Sequence, residues 1–274
     1  VSSSLNHTER PSKHKVISLV SDLLTSNGFN ETMCNSLTRM AYYADLKTFP
    51  AEKTVPILNP LSSDLNGLRQ TLLFGGLESV AYNINHKNSD LKLYEFGNCY
   101  TFQKENHDAN QALKAYSEEL MLGMWLAGDE KSENWHDKPK AVSFFTLKTW
   151  VNAVFSKLGV KNRIVITKEA QTDLFEYGLT LSIGKQQVGF MGLVSGKICE
   201  SVDIKNEVFY AELRWEILFD IAKSQKISLS EMSKYPEVRR DLALLIDNSI
   251  NFDQLKKLAL ETEKKLIRQI NLFD

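Results

Sequence analysis

The histidines and cysteines of this sequence do not have the spacing of a metal site. No two of the five histidines lie three or four residues apart, and none has a cysteine nearby at the spacing of zinc ligands. A nucleophilic cysteine needs a cationic neighbour or a helix N-terminus that lowers its pKa, and the sequence gives no such cue for Cys34, Cys99 or Cys199. The sequence therefore predicts neither a metal site nor a reactive thiol.

Phosphate binding and acid–base chemistry also lack a recognisable motif. The glycines of residues 184–192 lie in a predicted hairpin and not between a strand and a helix, so their amides would not converge on a phosphate. The adjacent carboxylates Glu118 and Glu119 lie in a predicted strand, where neighbouring side chains point to opposite faces. The residues taken alone thus predict a globular α+β protein without a visible active site.

Composition limits the remaining possibilities. The 274 residues are 43% hydrophobic, which is enough for a sizeable core in one large or two small domains. The 33 Lys and Arg residues nearly balance 34 Asp and Glu residues, and a formal charge of −1 excludes a broad basic surface as the dominant feature. Three widely spaced cysteines argue against a disulfide framework, and no apolar run has the length of a membrane span. We expect a cytoplasmic protein without membrane contact.

Hydrophobic periodicity predicts four helices and seven strands in the first part of the chain. The first helix is expected to end at Gly28, where a left-handed C-cap belongs. The predicted helices are Ser12–Asn27, Leu68–His86, Phe144–Leu158 and Trp215–Ala222, and the predicted strands are Met33–Leu37, Leu91–Phe102, Glu118–Ala127, Arg163–Thr167, Gly178–Ile183, Gln187–Leu193 and Val208–Leu213. Three of these strands, Arg163–Thr167, Gly178–Ile183 and Gln187–Leu193, are expected to form an antiparallel set.

The last part of the chain is expected to belong to a second domain. The polar stretch Lys223–Lys234 has no sustained apolar period and is the predicted linker. A strand over Val238–Asp247 and a helix over Asp253–Ile270 follow. One strand and one helix cannot bury a core of their own. We therefore predict a first domain over residues 1–226, and a linker with a truncated second domain over residues 227–274.

Several strings of residues, in one order along the chain, resemble a known family. A helix followed by Gly28-Phe29 resembles the first signature of class II aminoacyl-tRNA synthetases. The segments Asn59–Leu73 and Leu93–Tyr100 are similar to the beta subunit of phenylalanyl-tRNA synthetase, and Ser233–Ala243 resembles the start of that subunit's anticodon-binding domain. The resemblance implies an α+β fold: a class II synthetase-like antiparallel sheet flanked by helices, followed by a partial ferredoxin-like strand–helix unit.

Two departures from the class II pattern concern the groups that hold the phosphates of ATP. The family pattern places an arginine just after a Gly-x-x-Phe-like string, here Gly97–Tyr100, and this sequence has Thr101 at that position. At the third signature, the alignment places Leu213 where a second arginine is expected, with Arg214 as its neighbour. A neutral hydroxyl does not replace a bidentate guanidinium. The resemblance therefore implies a structural module without catalytic, cofactor-binding or metal-binding residues.

The same resemblance implies the partners of the chain. It implies packing on the alpha subunit, where ATP and magnesium are expected, and contact with tRNA through the complete complex. The predicted interface residues are Asn59, Pro60, Leu68, Arg69, Leu72, Leu73 and Leu77, although the three last leucines also fit an ordinary core, and Arg69 could instead cap a local strand. Arg239 and Arg240 either contact the tRNA backbone or simply flank a strand.

Two other functions remain open from the sequence. One is a stand-alone adenylate-forming ligase of the same fold that uses other phosphate ligands. The other is a regulatory paralogue that uses the fold to bind a small molecule.

Overall fold

A computed structural model describes residues 12–106, 111–131, 133–160, 165–170, 172–224 and 234–273. Contacts divide the chain into two compact units, residues 1–226 and residues 227–274. In chain order, the helices and strands are α1 Lys13–Thr25, β1 Asn30–Glu31, β2 Leu37–Thr38, β3 Val55–Pro56, β4 Gly67–Leu68, α2 Leu73–Asn85, β5 Leu91–Phe102, β6 Tyr116–Ala127, β7 Asp129–Lys131, β8 Lys140–Ala141, α3 Phe144–Lys157, β9 Val165–Glu169, β10 Phe175–Ile183, β11 Gln186–Val194, α4 Gly196–Ser201, β12 Val208–Arg214, α5 Trp215–Lys223 and α6 Phe252–Thr262. Short 3-10 turns occupy Met40–Tyr43, Ala51–Lys53, Ser63–Leu65, Lys104–Asn106 and Ala112–Ala115.

A seven-stranded sheet organises the first unit, with the strand order β1-β5-β6-β12-β11-β10-β9. Every neighbouring pair is antiparallel except β1 and β5, which run parallel. The two longest strands, β5 and β6, pair without interruption from Leu91 opposite Ala127 to Phe102 opposite Tyr116. The antiparallel set predicted within residues 163–193 is observed as β9, β10 and β11, and the sheet as a whole is mixed because β1 runs parallel to β5. The register fixes which side chains share each face because strand side chains alternate.

Hydrophobic cores cover both faces of this sheet. One face carries Tyr94, Met124 and Ala211 among its members, and helices α1, α3 and α5 pack on it. The opposite face carries Trp125 and Tyr210, and helix α2 packs on it. We call this second side the α2 face. Because both faces are buried, the central strands read as nearly continuous apolar runs.

Capping side chains and glycines set the ends of helices α1 and α3. Ser12 caps α1 by accepting a hydrogen bond from the Lys15 amide, and Ser143 forms a capping box with Thr146 at the start of α3. Gly28 and Gly159 follow the first and third helices with φ of +85° and +73°, a conformation that glycine adopts without a Cβ penalty. The predicted bounds of these two helices are therefore close to those observed.

Two predictions in the first unit are wrong. The strand predicted over Met33–Leu37 is replaced by the short strands β1 and β2, and the backbone between them is bonded by side chains: the Cys34 carbonyl accepts from Arg69, and the Cys34 amide donates to Glu95. The helix predicted to begin at Leu68 begins at Leu73, since the amides of Arg69, Gln70 and Leu72 donate to distant partners. The start predicted for β9, Arg163, lies outside the described residues.

The second unit departs further from the predictions. Residues 238–247 form no regular strand, because the described part of this unit offers no neighbouring strand to pair with. Helix α6 ends at Thr262 and not at Ile270, and it buries none of its residues. A helix of this length without packing is only marginally stable. The linker prediction falls mostly on residues 225–233, which lie outside the described ranges. Within those ranges, no helix has the length and apolar composition to cross a bilayer.

Candidate functional site

Three strands place carboxylates and glycine in one row on the α2 face. Glu95 on β5 lies opposite Gly123 on β6, and Gly123 lies opposite Glu212 on β12. Both glutamates are almost completely buried, at 2% and 1% exposure. Buried carboxylates require partners. Most of these partners belong to the four residues that precede helix α2, and the Cys34 amide and the Tyr210 hydroxyl are the others.

Arg69 is the partner of Glu95. Its Nη1 donates to Glu95 Oε1 at 2.7 Å, its Nε donates to the Asn98 carbonyl at 2.9 Å, and the side chain is only 5% exposed. The guanidinium lies directly on Gly97, where a Cβ atom would overlap Nη2. Gly97 is therefore required for this close approach. The space above the middle of β5 is filled by the chain's own arginine.

Glu212 is bonded to Thr71 and Leu72, the last two of the four residues that precede helix α2. One carboxylate oxygen, Oε2, accepts from Thr71 Oγ1 at 2.6 Å, from the Leu72 amide at 2.8 Å and from the Tyr210 hydroxyl. The other oxygen, Oε1, has no hydrogen-bond partner among the described residues. Burial raises the pKa of Glu212, while the hydrogen bond from Thr71 acts in the opposite direction. The site thus contains a carboxyl group whose ionised form is disfavoured.

Gln70 completes the attachment of this segment. Its amide donates to the Tyr43 hydroxyl at 3.1 Å, and its Nε2 donates to Thr54 Oγ1 at 2.7 Å. Burial raises the pKa of Tyr43 well above its ordinary range, so this hydroxyl stays neutral. Residues 69–72 therefore each have a bonded polar group, and the segment is fixed over the α2 face.

A second arginine lies at the open end of the same face. Arg214 Nε and Nη2 donate to the two oxygens of Glu119 at 2.7 Å and 3.0 Å, in a bidentate pair. The Arg214 and Glu119 side chains are 41% and 26% exposed, so solvent reaches this pair. Thr101, at the end of β5, is half-buried. Both arginines on the α2 face are thus neutralised by carboxylates of the chain.

Thiol and metal chemistry find no support among the described residues. Cys34, Cys99 and Cys199 are free, and no group of three or more possible metal ligands occurs within the described ranges. Burial raises the pKa of Cys34 and of Cys199 to about 11 and that of Cys99 well above its ordinary value. Neutral thiols are poor nucleophiles. A recess of about 290 Å³ lies away from the α2 face, on α5 between Gln186 and Ser224.

The structure corrects part of the predicted interface. Leu72, Leu73 and Leu77 are 0% exposed core residues, and Arg69 is buried in its ion pair, so these four have no surface to offer a partner. Leu68 is half-buried in β4. Contact of Asn59, Pro60 and Leu68 with a partner stays a prediction.

Asn59 and Pro60 lie at an exposed tip. They belong to the loop between β3 and β4, and their neighbours Leu58 and Leu61 are 93% and 96% exposed. The Met40 amide donates to Asn66 Oδ1 at 2.8 Å, and the Ile57 amide donates to the Asn66 carbonyl at 2.9 Å. We call residues 57–66 the β3–β4 tip.

In the second unit, Arg239 and Arg240 are exposed. Arg239 Nε lies 3.3 Å from Asp241 Oδ1, and its guanidinium lies over the Phe273 ring. An exposed pair of this kind contributes little to stability. Contact of either arginine with tRNA stays a prediction.

Sequence reasoning missed Glu95 and Glu212 as members of the site. A signal was present for Glu212, because it interrupts the apolar strand Val208–Leu213, and a charged residue within a buried run demands a partner. The identity of that partner, 140 residues away, depends on the fold.

The fold is similar to that of an aminoacyl-tRNA synthetase of known structure. Pyrrolysyl-tRNA synthetase from Desulfitobacterium hafniense superposes with a TM-score of 0.56 and 16% identity, over 81% of this chain and 75% of that chain. At this identity, the similarity concerns the fold alone.

Family comparison is more specific. Residues 2–215 match the family described as "Phenylalanyl tRNA synthetase beta chain CLM domain", and residues 233–274 match the "Ferredoxin-fold anticodon binding domain". The chain belongs to the phenylalanyl-tRNA synthetase beta chain family.

Curated relatives carry the same description. The "Phenylalanine--tRNA ligase beta subunit" of Bacteroides fragilis is 44% identical over 95% of this chain and 32% of its own length, and that of Porphyromonas gingivalis is 37% identical over 100% and 34%. The corresponding subunit of Listeria monocytogenes is 32% identical over 92% of this chain and 30% of its own length. The chain spans about a third of the length of these relatives.

Proposed function

We propose that this chain is a structural module of a phenylalanyl-tRNA synthetase beta subunit, which packs on the alpha subunit and supports charging of tRNA with phenylalanine. We further propose that its first unit has a class II-type sheet, and that its second unit begins an anticodon-binding domain. The sheet likeness to a synthetase and the two family matches support this assignment. The module itself would form no aminoacyl-adenylate.

The observation that carries the non-catalytic role is the pairing of both arginines on the α2 face. A triphosphate needs cationic groups that are free to bind its oxygens. Arg69 is buried against Glu95, and Arg214 is held at both donors by Glu119. Extracting Arg69 would leave a buried carboxylate without its counter-ion, which costs about 3–5 kcal/mol. The residues present therefore do not fit ATP and magnesium, which we place at the alpha subunit.

The β3–β4 tip is the surface that we assign to the alpha subunit. It presents Leu58 and Leu61 almost fully exposed beside Asn59 and Pro60, while Arg39 pairs with Asp64 at its base. Burying one leucine contributes about 1.5–3 kcal/mol, so two exposed leucines on one anchored loop are suited to a partner pocket. We place the complex in the cytoplasm, since the three cysteines are free thiols.

Contact with tRNA is proposed only for the second unit. Residues 231–274 carry eight basic and eight acidic side chains, so the charge of this segment gives no general attraction to nucleic acid. Arg239 and Arg240 are two exposed cations of this segment, and they are our candidates for phosphate contact in the complete complex.

The adenylate claim is tested by pyrophosphate exchange with ATP and phenylalanine. The 274-residue chain alone is expected to show no exchange above background, and no thermal stabilisation by the two ligands. Exchange by the chain alone would establish the stand-alone ligase. Stabilisation by phenylalanine without exchange would instead favour the small-molecule regulator.

The partner claim is tested by co-purification with a phenylalanyl-tRNA synthetase alpha subunit. Leu61→Asp is expected to reduce the recovered complex at least about tenfold, because it places a charge in an apolar contact. Leu113→Asp is the matched control, since Leu113 is also strongly exposed (82%) but lies outside the β3–β4 tip, in the 3-10 turn Ala112–Ala115. Equal recovery with Leu61→Asp and the unsubstituted chain would remove the β3–β4 tip from the interface.

A further inference from the structure

We propose that Glu119 closes a latent anion-binding site at the open end of the α2 face by acting as the chain's own counter-ion for Arg214. The inference deepens the proposed non-catalytic role, on which it rests, and names the residue that keeps this end of the face from binding phosphates. The ligand class of the opened site is an inorganic polyphosphate.

The geometry of the pair is that of a guanidinium holding a phosphate. Two donors of one edge of Arg214 reach the two oxygens of Glu119 at 2.7 Å and 3.0 Å. The same edge would bind two oxygens of a phosphate. The donors that a dissolved anion would use are therefore already occupied by a fixed carboxylate.

Accessibility distinguishes this pair from the one formed by Arg69. Arg69 and Glu95 have side-chain exposures of 5% and 3%, so a dissolved anion cannot reach them. Arg214 is 41% exposed, and helix α5 begins directly after it at Trp215. Arg214 is the N-cap residue of this nine-residue helix and makes no side-chain capping bond. The positive end of the helix dipole therefore lies at the residue that carries the guanidinium, and a nearby positive helix end favours an anion.

The other charged groups near the pair have partners of their own. Glu212, two residues before Arg214 on the same face, is fully buried and bonded to Thr71 and Leu72. Glu216, in the first turn of α5, pairs with Lys13. Cys99 lies opposite Glu119 in the strand register, and its thiol is neutral. Glu119 is thus the carboxylate that neutralises Arg214.

The test compares two isosteric substitutions at adjacent residues of strand β6. Glu119→Gln keeps the shape of the side chain and removes its charge, which frees Arg214. Glu118→Gln is the matched control: it makes the same change of charge one residue away, on the opposite face, where Glu118 is exposed and accepts from Asn98 Nδ2. Binding of inorganic tripolyphosphate to the 274-residue chain is measured by calorimetry at low salt, where surface charges are weakly screened.

We expect Glu119→Gln to bind tripolyphosphate at least about tenfold more tightly than the unsubstituted chain and Glu118→Gln, the factor that one charge-assisted contact supplies. The double substitution Glu119→Gln/Arg214→Gln should lose this gain. Equal gains in both single variants would indicate a general charge effect and overturn the inference, as would a gain that survives loss of Arg214. If Glu119→Gln fails to fold by circular dichroism, Glu119→Ala serves in its place with the same expectations.

Failure of this inference is distinguishable from failure of the proposed function. Adenylate formation by the unsubstituted chain would defeat the proposed function whatever Glu119 does. An inactive chain in which Glu119→Gln brings no gain in tripolyphosphate affinity would leave the structural role intact and overturn only the inference about Glu119.

Discussion

Replacing Arg69 by methionine is expected to destabilise the first unit strongly. The substitution keeps much of the side-chain volume but leaves Glu95 buried without its counter-ion, and it removes the donors to Glu95, Asn98 and Cys34. Loss of one partner from a buried ion pair costs about 3–5 kcal/mol. For a unit of this size, about 1 kcal/mol corresponds to roughly 2–4 °C, so the expected fall in Tm is about 10 °C.

The assay is thermal unfolding, which gives Tm, together with urea unfolding, which gives the free energy, both followed by tryptophan fluorescence. All four tryptophans lie between residues 125 and 215, so the signal reports on the first unit alone. Arg39→Met is the control, because the pair of Arg39 with Asp64 is largely exposed (42% and 62%) and should contribute less than about 1 kcal/mol.

A double substitution separates charge from packing. Arg69→Met/Glu95→Gln removes both charges, and it should recover more than half of the stability lost in Arg69→Met, since no uncompensated carboxylate remains. The reasoning is refuted if Arg69→Met costs no more than Arg39→Met. It is also refuted if the double variant is no more stable than Arg69→Met alone.

Three further predictions follow from buried groups. Gly76→Ala should cost about 1–3 kcal/mol in urea unfolding, because its Cβ would overlap the rigid Trp125 ring, which cannot move aside. Burial raises the pKa of Glu212 in the folded state, so the free energy of unfolding should fall as pH rises from the ordinary pKa of glutamate to the folded value. Glu212→Gln removes this titration and should flatten the dependence of Tm on pH. At pH 8 a thiol with a pKa of about 11, such as that of Cys34, is ionised to roughly one part in a thousand, so Ellman's reagent should label the three cysteines slowly in the folded chain and rapidly in urea.

The sequence predicts the parts of this fold that depend on local periodicity. The bounds of β5 are as expected, and α1 and α3 end within two residues of their predicted ends, because each carries its own apolar pattern and a glycine at its C-terminal side. The second unit could not be predicted in the same way. Its apolar residues, such as Leu242 and Leu245, are exposed in the described structure because no partner strand pairs with them.

Residues 69–72 show why the candidate site required the structure. Their amides and side chains are bonded to groups far away in the sequence, including Tyr43, Glu95 and Glu212. No periodic pattern encodes such contacts, so Leu68 was predicted to begin a helix that in fact begins at Leu73. The sequence predicts no phosphate-binding arginine on this face because Thr101 and Leu213 stand where the family pattern has arginines. The structure shows instead that Arg69 and Arg214 are present on the face and are paired with carboxylates.

This difference changes the physical account of the α2 face. A face that merely lost its arginines would be an open, uncharged cleft, and replacing one residue would not restore phosphate binding. In the observed arrangement, Arg69 lies directly over Gly97, and the exposed Arg214 is paired with Glu119. The ion pair of Arg69 with Glu95 also fixes the segment that leads into α2. The same contacts of Arg69 therefore occupy the space over β5 and stabilise the sheet. We therefore expect that opening the buried end would weaken the fold more than opening the exposed end at Arg214, because solvent reaches the pair of Arg214 with Glu119.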